Sequence, residues 1–433
     1  MGYPMNEDNI MLKALNLGNI NELFSDIPSD LMFNLDLGKP LSEMELINKI
    51  NKIKSKNKKN KLFFLGNGIY DRFIPNLVNE IISRNEFLTS YTPYQPEISQ
   101  GILFSLFEYQ SIISDLTEMD VTNSSMYDGF TSLAEAVRMA YRINGKNEIL
   151  IPENIYKSKL SIIKNYSYGL NFKFIFYGFD ETGKIDLEGL KNKINNNTCA
   201  IIVEEPNGYG IIDENVFKLN EIKKSSILIT YYDPVSLGIL KPPGEYGSDI
   251  AVAEGQQLGI GMNFGGPLLG LFSFKKEYVH KSPGRLIGLS NDLNGKKAFV
   301  MTLQAREQHI RRAKAMSNIC SNQALLGIAA LSYLSILGPG GLRKIALITM
   351  NKSKKLKTEL NKRGIKSVFN SINFSDNLFY FDNKELLRKN NISGGIKLSE
   401  LSDINKYKNA SFFSVTEKTD DNDIIELSEI IGD

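Results

Sequence analysis

Short apolar runs alternate with longer amphipathic stretches along most of the chain from about residue 61. The runs are rich in β-branched and aromatic residues, and polar or turn-forming residues bound each of them, which is typical of buried strands. Strands separated by helices predict a largely parallel sheet with helices on both faces. The predicted strands lie at 148–152, 172–177, 199–207, 226–234, 249–254 and 268–274. We therefore expect an α/β fold.

The first 60 residues have a different pattern, which is helical and polar. Their apolar residues are spaced for one buried face, and a second helix is predicted from Ser42 to about Ile53 because Ser42 and Glu45 form a capping pattern. The lysine- and asparagine-rich run that follows, 51–61, is either a basic recognition patch or a solvated connector. Its lack of aromatic residues favours the connector. The residues of the predicted buried face are Leu12, Leu15, Ile20, Leu23 and Phe24.

The pattern predicts three parts in the chain. Residues 1–60 form a helical segment with its linker, 61–337 a large α/β domain, and 338–433 a small C-terminal α/β domain. A long helical region is predicted from about Ala298 to Leu337, where "LGPGG" ends it. The remainder contains one more strand-like run, "LFYFDN".

Composition and charge exclude several classes of protein. The chain has 433 residues, of which 42% are apolar, and its 51 basic and 49 acidic residues nearly cancel, so a dedicated nucleic-acid binder is not expected. Cys199 and Cys320 lie far apart, which suits two reduced thiols in a reducing cytoplasm. The N-terminus has no leader pattern, and the apolar run from Ala324 is too short for a membrane span and predicts a buried helix.

A loop of small polar residues precedes a predicted helix at 121–140. The pair Ser132 and Glu135 is expected to mark the helix start. Unpaired N–H groups and the helix dipole would suit a phosphate group there, but the loop contains no lysine or arginine, so an ordinary helix cap is the alternative. The candidate phosphate-binding residues are Ser124, Ser125, Asp128, Gly129, Thr131 and Ser132.

Two strand ends carry further candidate chemistry. Asp233 could place a carboxylate beside a pyridine nitrogen, although Asp-Pro is also a common turn start. The stretch 248–274 is similar to the strand and glycine-rich turn that hold the cofactor lysine in pyridoxal-phosphate enzymes. It has no lysine there, because Glu254, Gln256 and Gln257 occupy the region, and a glutamine cannot form an imine.

Two remaining segments each have two interpretations. The proline-braced loop "YTPYQP" at 91–96 either lines a pocket or only packs. The basic segment from Arg306 to Lys314 either binds a carboxylate or an acidic partner, or is a solvated helix face with ion pairs. With two histidines, His280 and His309, and two distant cysteines, no metal site is expected.

Four strings together carry a family resemblance. They are "YTPYQPEISQG", "NSSMYDGFTSLAEA", "AEGQQLG…FGGPLLG" and "PGRLIG…MTLQAREQHIRRAKAMSNICSNQALLG", and they occur in family order and spacing. The chain resembles subunit 1 of the two-subunit glycine decarboxylase P-protein of the glycine cleavage system. The likeness extends from the N-terminus to about residue 345, with Ala253 where the family has glycine and Gln257 where it has proline. The resemblance implies an aminotransferase-like pyridoxal-phosphate enzyme fold, fold type I.

The resemblance also implies a shared enzyme. Subunit 2 would bind pyridoxal phosphate covalently, and the complex, as two heterodimers, would decarboxylate glycine and pass the aminomethyl group to the lipoyl arm of the H-protein. Counting back from Pro267 places Gln256 at the position of the partner's lysine. The phosphate-binding residues and Asp233 would then be vestigial. The loop that would contribute to the partner's active site comprises Tyr91, Thr92, Tyr94, Gln95 and Glu97.

Two alternatives from other classes remain at this point. One is a self-sufficient homodimeric pyridoxal-phosphate decarboxylase that uses a lysine elsewhere in the chain. The other is a non-enzymatic interaction protein, or a nucleic-acid-binding protein, built on an inactive enzyme fold. The near-neutral net charge argues against nucleic acid.

Overall fold

The computed structural model describes residues 5–33, 35–57, 60–303, 308–317, 319, 321–404 and 406–432. The chain divides into two compact units, Met1–Lys59 and Asn60–Asp433. The further division of the second unit into a large and a small domain stays a prediction. Cys320, Arg306 and Glu307 lie outside the described residues, so the hypotheses on the second thiol and on the first part of the basic segment also stay predictions.

The described residues of the first unit form two α-helices, α1 (Met5–Ala14) and α2 (Glu43–Lys54), with two short 3-10 helices between them at Ile20–Phe24 and Ser29–Leu31. Ser42 caps α2, because its Oγ accepts a hydrogen bond from Glu45 N and the Glu45 carboxylate accepts one from Ser42 N at 2.8 Å. The predicted capping box is confirmed.

The predicted buried face of this unit is wrong. Leu15 is 57% exposed, Leu23 49% and Phe24 47%, and none of the described side chains from 9 to 57 is buried. Two short helices joined by turns cannot enclose an apolar core of their own, which explains the exposure of residues at helical spacing.

A seven-stranded sheet forms the centre of the second unit. Its strand order is β2-β8-β7-β6-β5-β3-β4, in which β4, β3, β5, β6 and β7 are parallel and β8 and β2 run antiparallel to their neighbours. All six predicted strands are present and confirmed. The strands are β2 (Val121–Thr122), β3 (Glu148–Pro152), β4 (Lys173–Tyr177), β5 (Thr198–Glu205), β6 (Ile227–Tyr232), β7 (Ile250–Glu254) and β8 (Gly270–Phe274).

Helices cover both faces of this sheet. On one face Leu133 and Val137 pack with the strand residues Ile151 and Ile229, and on the other face Tyr109 belongs to a second buried cluster. Both faces are therefore buried, which explains the continuous apolar runs of the parallel strands. The helices up to this point in the chain are α3 (Asn76–Ile82), α4 (Asn85–Leu88), α5 (Gln100–Thr117), α6 (Gly129–Asn144), α7 (Lys157–Tyr166), α8 (Leu187–Lys193) and α9 (Leu219–Ile222).

The predicted helix from Ala298 to Leu337 is wrong in its first part. Strands β9 (Leu286–Asn291) and β10 (Lys297–Thr302) form an antiparallel hairpin there, because Phe299, Val300 and Met301 are strand formers with partners in β9. Helix α10 (Gln308–Arg311) and the long helix α11 (Ala324–Lys362) follow.

Helix α11 is long and apolar enough to cross a membrane by length and composition alone. Its residues Ile328, Ala329 and Tyr333 are buried in the protein, as in a core helix. Gly338 has φ 58° and interrupts the helix before Pro339, so "LGPGG" breaks the helix and a second helical stretch follows at once.

The C-terminal part contains a small antiparallel sheet of order β11-β14-β13 and a parallel pair, β1 with β12. The predicted strand in "LFYFDN" is confirmed as part of β11. Leu62, Leu356, Phe379 and Phe413 share one buried cluster here. The elements are β1 (Leu62–Phe63), β11 (Asp376–Tyr380), β12 (Ile392–Ser393), β13 (Ile396–Lys397), β14 (Ala410–Ser414), α12 (Lys384–Lys389), α13 (Leu398–Leu401) and α14 (Asp421–Gly432).

Candidate functional site

The carboxyl ends of β5, β6 and β7 meet at one edge of the central sheet, beside a cavity of about 60 Å³. Parallel sheets bind ligands outside these ends, because the loops there converge on one crevice. Glu204 of β5, Asp233 after β6 and Glu254 of β7 line the cavity. This cavity is the candidate functional site.

Asp128 caps helix α6 at one side of the site. Its Oδ1 accepts hydrogen bonds from Phe130 N (2.8 Å) and Thr131 N (2.9 Å). The predicted helix start at Ser132 and Glu135 is wrong, because the Asp128 carboxylate reaches the unpaired N–H groups one turn earlier. Ser132 Oγ instead donates to the Asp128 carbonyl oxygen at 2.8 Å.

Glu254 occupies the N-terminus of α6 from the other side. Its Oε2 accepts from Gly129 N (2.9 Å), and its Oε1 accepts from Gln256 N (2.9 Å) and Leu269 N (3.1 Å). A Cβ atom on Gly129 would lie 2.7 Å from Glu254 N and 2.8 Å from the Tyr231 hydroxyl, so a glycine is required at this close approach. The chain therefore places a carboxyl group of its own at this helix N-terminus.

Burial raises the pKa of Glu254 to about 7, although its three hydrogen bonds from backbone N–H groups act in the opposite direction. The carboxyl group therefore changes its protonation state near neutral pH. The negative charge of Asp128 also raises the pKa of Glu254.

The two serines of the candidate phosphate-binding loop are buried and bonded within the chain. Asn322 Nδ2 donates to the carbonyl oxygen and to Oγ of Ser124, both at 3.1 Å. Ser125 Oγ accepts from Gln323 N at 2.9 Å. These hydroxyl groups join the loop to the segment before α11.

Both carboxylate oxygens of Asp233 also have partners. Oδ1 accepts from Val235 N (2.8 Å) and Ser236 N (3.0 Å), and Oδ2 accepts from Gln257 Nε2 (2.8 Å). The side chain that could contact a pyridine nitrogen is thus bonded to a glutamine of the same chain.

Gln257 links Asp233 to a buried ion pair. Its Oε1 accepts from Arg72 Nε (2.9 Å) and Nη2 (2.8 Å). Arg72 Nη1 donates to Glu417 Oε2 at 2.7 Å, with side-chain exposures of 1% and 9%. The sequence marked Gln257 only as a departure from the family, and no local signal connected it to Arg72.

Gln256 lies next to this network and bonds to the backbone. Its Oε1 accepts from Tyr70 N (3.0 Å), and its Nε2 donates to the carbonyl oxygens of Tyr70 (3.0 Å) and Ile260 (2.7 Å). Gln257 contributes to the cavity lining, whereas the described lining does not include Gln256. The match of Gln256 to the partner's lysine stays a prediction.

The cavity contains one buried lysine that the sequence did not mark. Lys159 Nζ donates to Glu204 Oε1 at 2.8 Å and lies 4.0 Å from the ring centroid of Tyr231 and 4.9 Å from that of Tyr156. Lys159 is 5% exposed. The Tyr231 hydroxyl is buried without a hydrogen-bond partner among the described residues.

The loop at 91–97 has the opposite character. Tyr91 is 78% exposed and Tyr94 41%, and Gln95 and Glu97 are exposed as well. Pro93 is buried, so it anchors the loop while the neighbouring side chains stay exposed. A loop that only packed would bury its aromatic rings.

Arg285 connects this loop to the buried site. Its guanidinium donates to Thr92 Oγ1 (3.1 Å) and to the Tyr94 hydroxyl (3.2 Å), and it lies 5.6 Å from the Tyr94 ring centroid. Its carbonyl oxygen accepts from Ser124 N at 2.8 Å. The structure thus places the loop beside the candidate phosphate-binding residues but outside the cavity.

Pyridoxal phosphate, which the resemblance implies for the enzyme, does not fit this site. A phosphate at a helix N-terminus needs free N–H groups, but those of Gly129, Phe130 and Thr131 already bind Glu254 and Asp128. A cavity of about 60 Å³ admits about four to six water-sized groups, far fewer than the cofactor has atoms.

Comparisons with known proteins agree with this geometry. A family model described as glycine cleavage system P-protein matches residues 1–431. A protein of Thermoplasma volcanium named "Probable glycine dehydrogenase (decarboxylating) subunit 1" is 61% identical over 423 residues, which is 97% of this chain and 98% of the relative. Proteins with the same name from Thermoplasma acidophilum and Staphylothermus marinus are 59% and 44% identical, over 95% and 98% of this chain and 95% of each relative.

Solved structures show the same fold. A crystal structure of glycine decarboxylase (P-protein) of the glycine cleavage system, in inhibitor-bound form, has a TM-score of 0.91, 32% identity, and covers 100% of this chain and 99% of its own. Sphingosine-1-phosphate lyase of Burkholderia pseudomallei, at 12% identity, has a TM-score of 0.67 over 93% of this chain and 92% of its own, which shows the fold type I architecture alone. The chain therefore belongs to the glycine cleavage system P-protein family, as a subunit 1 of glycine dehydrogenase (decarboxylating).

Proposed function

We propose that this chain is the obligatory half of glycine dehydrogenase (decarboxylating) that has no Schiff-base lysine, and that a homologous subunit 2 binds pyridoxal phosphate covalently. One observation carries this proposal: Glu254 and Gln257 take up the positions around Asp233 and α6 where a cofactor would need free partners. The chain's own pocket is closed to the cofactor, so the catalytic pocket belongs to the partner.

The two glutamines support the loss of an independent activity. A carboxamide has no basic amine, so neither Gln256 nor Gln257 can form an imine with a carbonyl group. Each amide instead makes three hydrogen bonds in a buried setting. Gln256 and Gln257 therefore stabilise the fold through these hydrogen bonds.

The exposed loop is the part of the chain that we assign to the partner's active site. The loop presents two phenols and a carboxylate at the surface, from Tyr91, Tyr94 and Glu97. The guanidinium of Arg285 donates a hydrogen bond to the Tyr94 hydroxyl. Enzymes of this fold build their sites between two chains. A loop that is fixed at its base and polar at its tip would bind and orient groups in the neighbouring pocket.

The same proposal covers the partners. Pyridoxal phosphate, when bound in the partner, supplies an electron sink for the bond that breaks as glycine loses its carboxyl group. The remaining aminomethyl group would pass to the lipoyl arm of the H-protein. We propose two heterodimers in the cytoplasm, with an obligate interface of more than roughly 2,000 Å² between the two subunits. Separate monodisperse subunits in a micromolar mixture would contradict this interface.

The central experiment measures exchange of bicarbonate carbon into the carboxyl group of glycine. The chain is produced with and without subunit 2, and we expect activity only when both are present. Exchange by this chain alone would overturn the proposal.

Borohydride reduction of the lone chain with pyridoxal phosphate is the matched test of the self-sufficient alternative. Lys159 is the lysine among the described residues that line the cavity, but Glu204 and the aromatic rings hold its ammonium group. We therefore expect no covalent pyridoxyl group on Lys159, as measured by mass spectrometry of peptides. A label on this residue would support an independent enzyme.

A further inference from the structure

The cavity that remains at the ends of the strands has hydrogen-bonding capacity that the described part of the chain does not use. The Lys159 ammonium has three N–H donors, and the structure gives one of them a partner, Glu204. Among the described residues the Tyr231 hydroxyl has no hydrogen-bond partner. The Tyr156 hydroxyl accepts a hydrogen bond from Asn67 Nδ2 at 3.0 Å, and its own proton has no described acceptor. Three donor groups therefore face one small space.

The three residues that carry these donors line the same cavity and lie close together. Lys159 Nζ lies within 5 Å of the ring centroids of both Tyr156 and Tyr231, at 4.9 and 4.0 Å. Burial in the protein interior raises the pKa of the Tyr156 and Tyr231 hydroxyls well above the usual value. Both hydroxyls therefore keep their protons and can donate hydrogen bonds at neutral pH. An ammonium with two phenolic hydroxyls is a charge-assisted donor set.

The rest of the lining excludes a simple anion. Among the described lining residues Lys159 is the one basic side chain, whereas four carry carboxyl groups. The unpartnered Oδ1 of Asn67 adds an acceptor. A ligand that brought only negative charge would be repelled, so the ligand needs a cationic group beside its carboxylate. The four acidic lining residues are Glu204, Asp233, Glu254 and Asp376.

Size limits the ligand further. The cavity of about 60 Å³ has room for about four to six water-sized groups. Glycine, the smallest α-amino acid, matches both this size and the required pair of charges. Asn67, Gly68 and Pro206 on its wall are only partly buried, so the cavity is not sealed from solvent.

We propose that the closed cofactor pocket of this chain is a second, non-catalytic site for glycine, with its carboxylate on Lys159, Tyr156 and Tyr231 and its ammonium group toward the acidic wall. The choice of glycine rests on the proposed function, which places the chain in an enzyme that consumes glycine. Bound glycine stabilises the chain by mass action, because it binds the folded state alone.

The test uses the complete complex after borohydride reduction, which fixes the cofactor on the partner subunit and blocks its reaction with glycine. Binding of radiolabelled glycine is measured by equilibrium dialysis. We expect Tyr231→Phe and Tyr156→Phe each to weaken binding by about tenfold, because each removes a hydrogen bond to a charged group. Unchanged binding in both variants would overturn the inference.

A double variant removes the charged pair without leaving one partner unpaired. Lys159→Met with Glu204→Gln should abolish binding at this site, whereas Lys157→Met on the same helix should have no effect, because Lys157 is exposed. Equal binding by the double variant and the Lys157 control would contradict the site.

Two readouts separate ligand binding from other roles. Without glycine, Tyr231→Phe should not lower the melting temperature of the complex, because the hydroxyl that it removes has no described partner. Glycine should raise the melting temperature of wild type and raise that of the variant less. If formate or bicarbonate displaced labelled glycine as effectively as unlabelled glycine does, the assignment of a zwitterionic ligand would be overturned. Alanine should compete at least tenfold more weakly than glycine, because the cavity is small.

The outcome is distinguishable from that of the proposed function. Isotope exchange by the unreduced wild-type complex, without glycine binding that depends on Tyr231, would overturn this inference and leave the proposed function standing. Glycine binding that depends on Tyr231, in a complex that has no exchange activity, would overturn the proposed function and leave this inference standing.

Discussion

The cavity at the strand ends and the loop at 91–97 differ in how they use their polar groups. In the cavity wall, Asp233, Glu254 and Gln257 are bonded to groups of the same chain and are largely buried. In the loop, Tyr91 is 78% exposed and Tyr94 is 41% exposed, and prolines stiffen the backbone around them. The comparison teaches that Asp233, Glu254 and Gln257 in the cavity wall stabilise the fold. Groups that another molecule could bind lie in the surface loop and, inside the cavity, on Lys159, Tyr156 and Tyr231.

The largest loss of stability should come from removing the buried ion pair between Arg72 and Glu417 beside the cavity. Arg72→Met leaves Glu417 as a buried unpaired charge and removes two hydrogen bonds to Gln257, so we expect a loss of about 3–5 kcal/mol in the free energy of unfolding. Guanidinium unfolding of the assembled enzyme measures this loss.

The matched control is Lys418→Met. Its ion pair with Asp71 is exposed, so the expected loss is below about 1 kcal/mol. Equal midpoints for the two variants would show that the wall does not depend on the buried pair.

A lysine restored by mutation should destabilise the chain without creating an enzyme. Gln256→Lys loses three hydrogen bonds and places an ammonium group at a position that is 1% exposed, so we expect a loss of about 3 kcal/mol. The lysine would lack the groups that set its pKa and orientation. Bicarbonate exchange by the variant without subunit 2 would contradict the closed pocket, and Gln256→Met is the uncharged control with the smaller loss.

The pH dependence of stability should report on Glu254. Its pKa is 4.5 in the unfolded reference and about 7 in the fold, so the folded state binds the proton more tightly. Its contribution to stability is therefore fully present below about pH 4.5 and is lost as the pH rises through about 7, by up to roughly 3 kcal/mol.

Glu254→Gln removes this contribution, so the difference in unfolding free energy between wild type and variant should change between pH 5 and pH 8. Urea unfolding at several pH values measures the difference. If the difference in unfolding free energy stayed constant between pH 5 and pH 8, Glu254 would not titrate in this range.

The smallest expected effect concerns the loop. Tyr94→Phe keeps the ring and removes one hydroxyl, worth about 0.5–1.5 kcal/mol, so the exchange rate of the reconstituted complex should fall roughly two- to twelvefold. The rate is normalised to bound cofactor and measured beside the melting temperature. Tyr168→Phe, at a residue that is 91% exposed, is the matched control. An unchanged rate with a lower melting temperature would assign Tyr94 to packing alone.

The sequence predicted those parts of the molecule that depend on local pattern. Six strands of the central sheet follow from apolar runs, and the cap of α2 follows from Ser42 and Glu45. Asp233 and the start of α6 were both singled out as site residues, and the structure brings both to one edge of the sheet because parallel strands end there together. The missing lysine was visible because absence of a residue type needs no tertiary information.

Only the tertiary structure decided how the pocket is closed. Arg72 meets Gln257 and Glu417 across separations of 185 and 345 residues, and Lys159 enters the cavity from a helix whose own pattern does not mark it. Whether Gln256 or Gln257 faces the cavity depends on the turn after β7, where adjacent side chains point in different directions. Such contacts leave no periodic signal in a single sequence, because each partner is chosen by packing between distant segments.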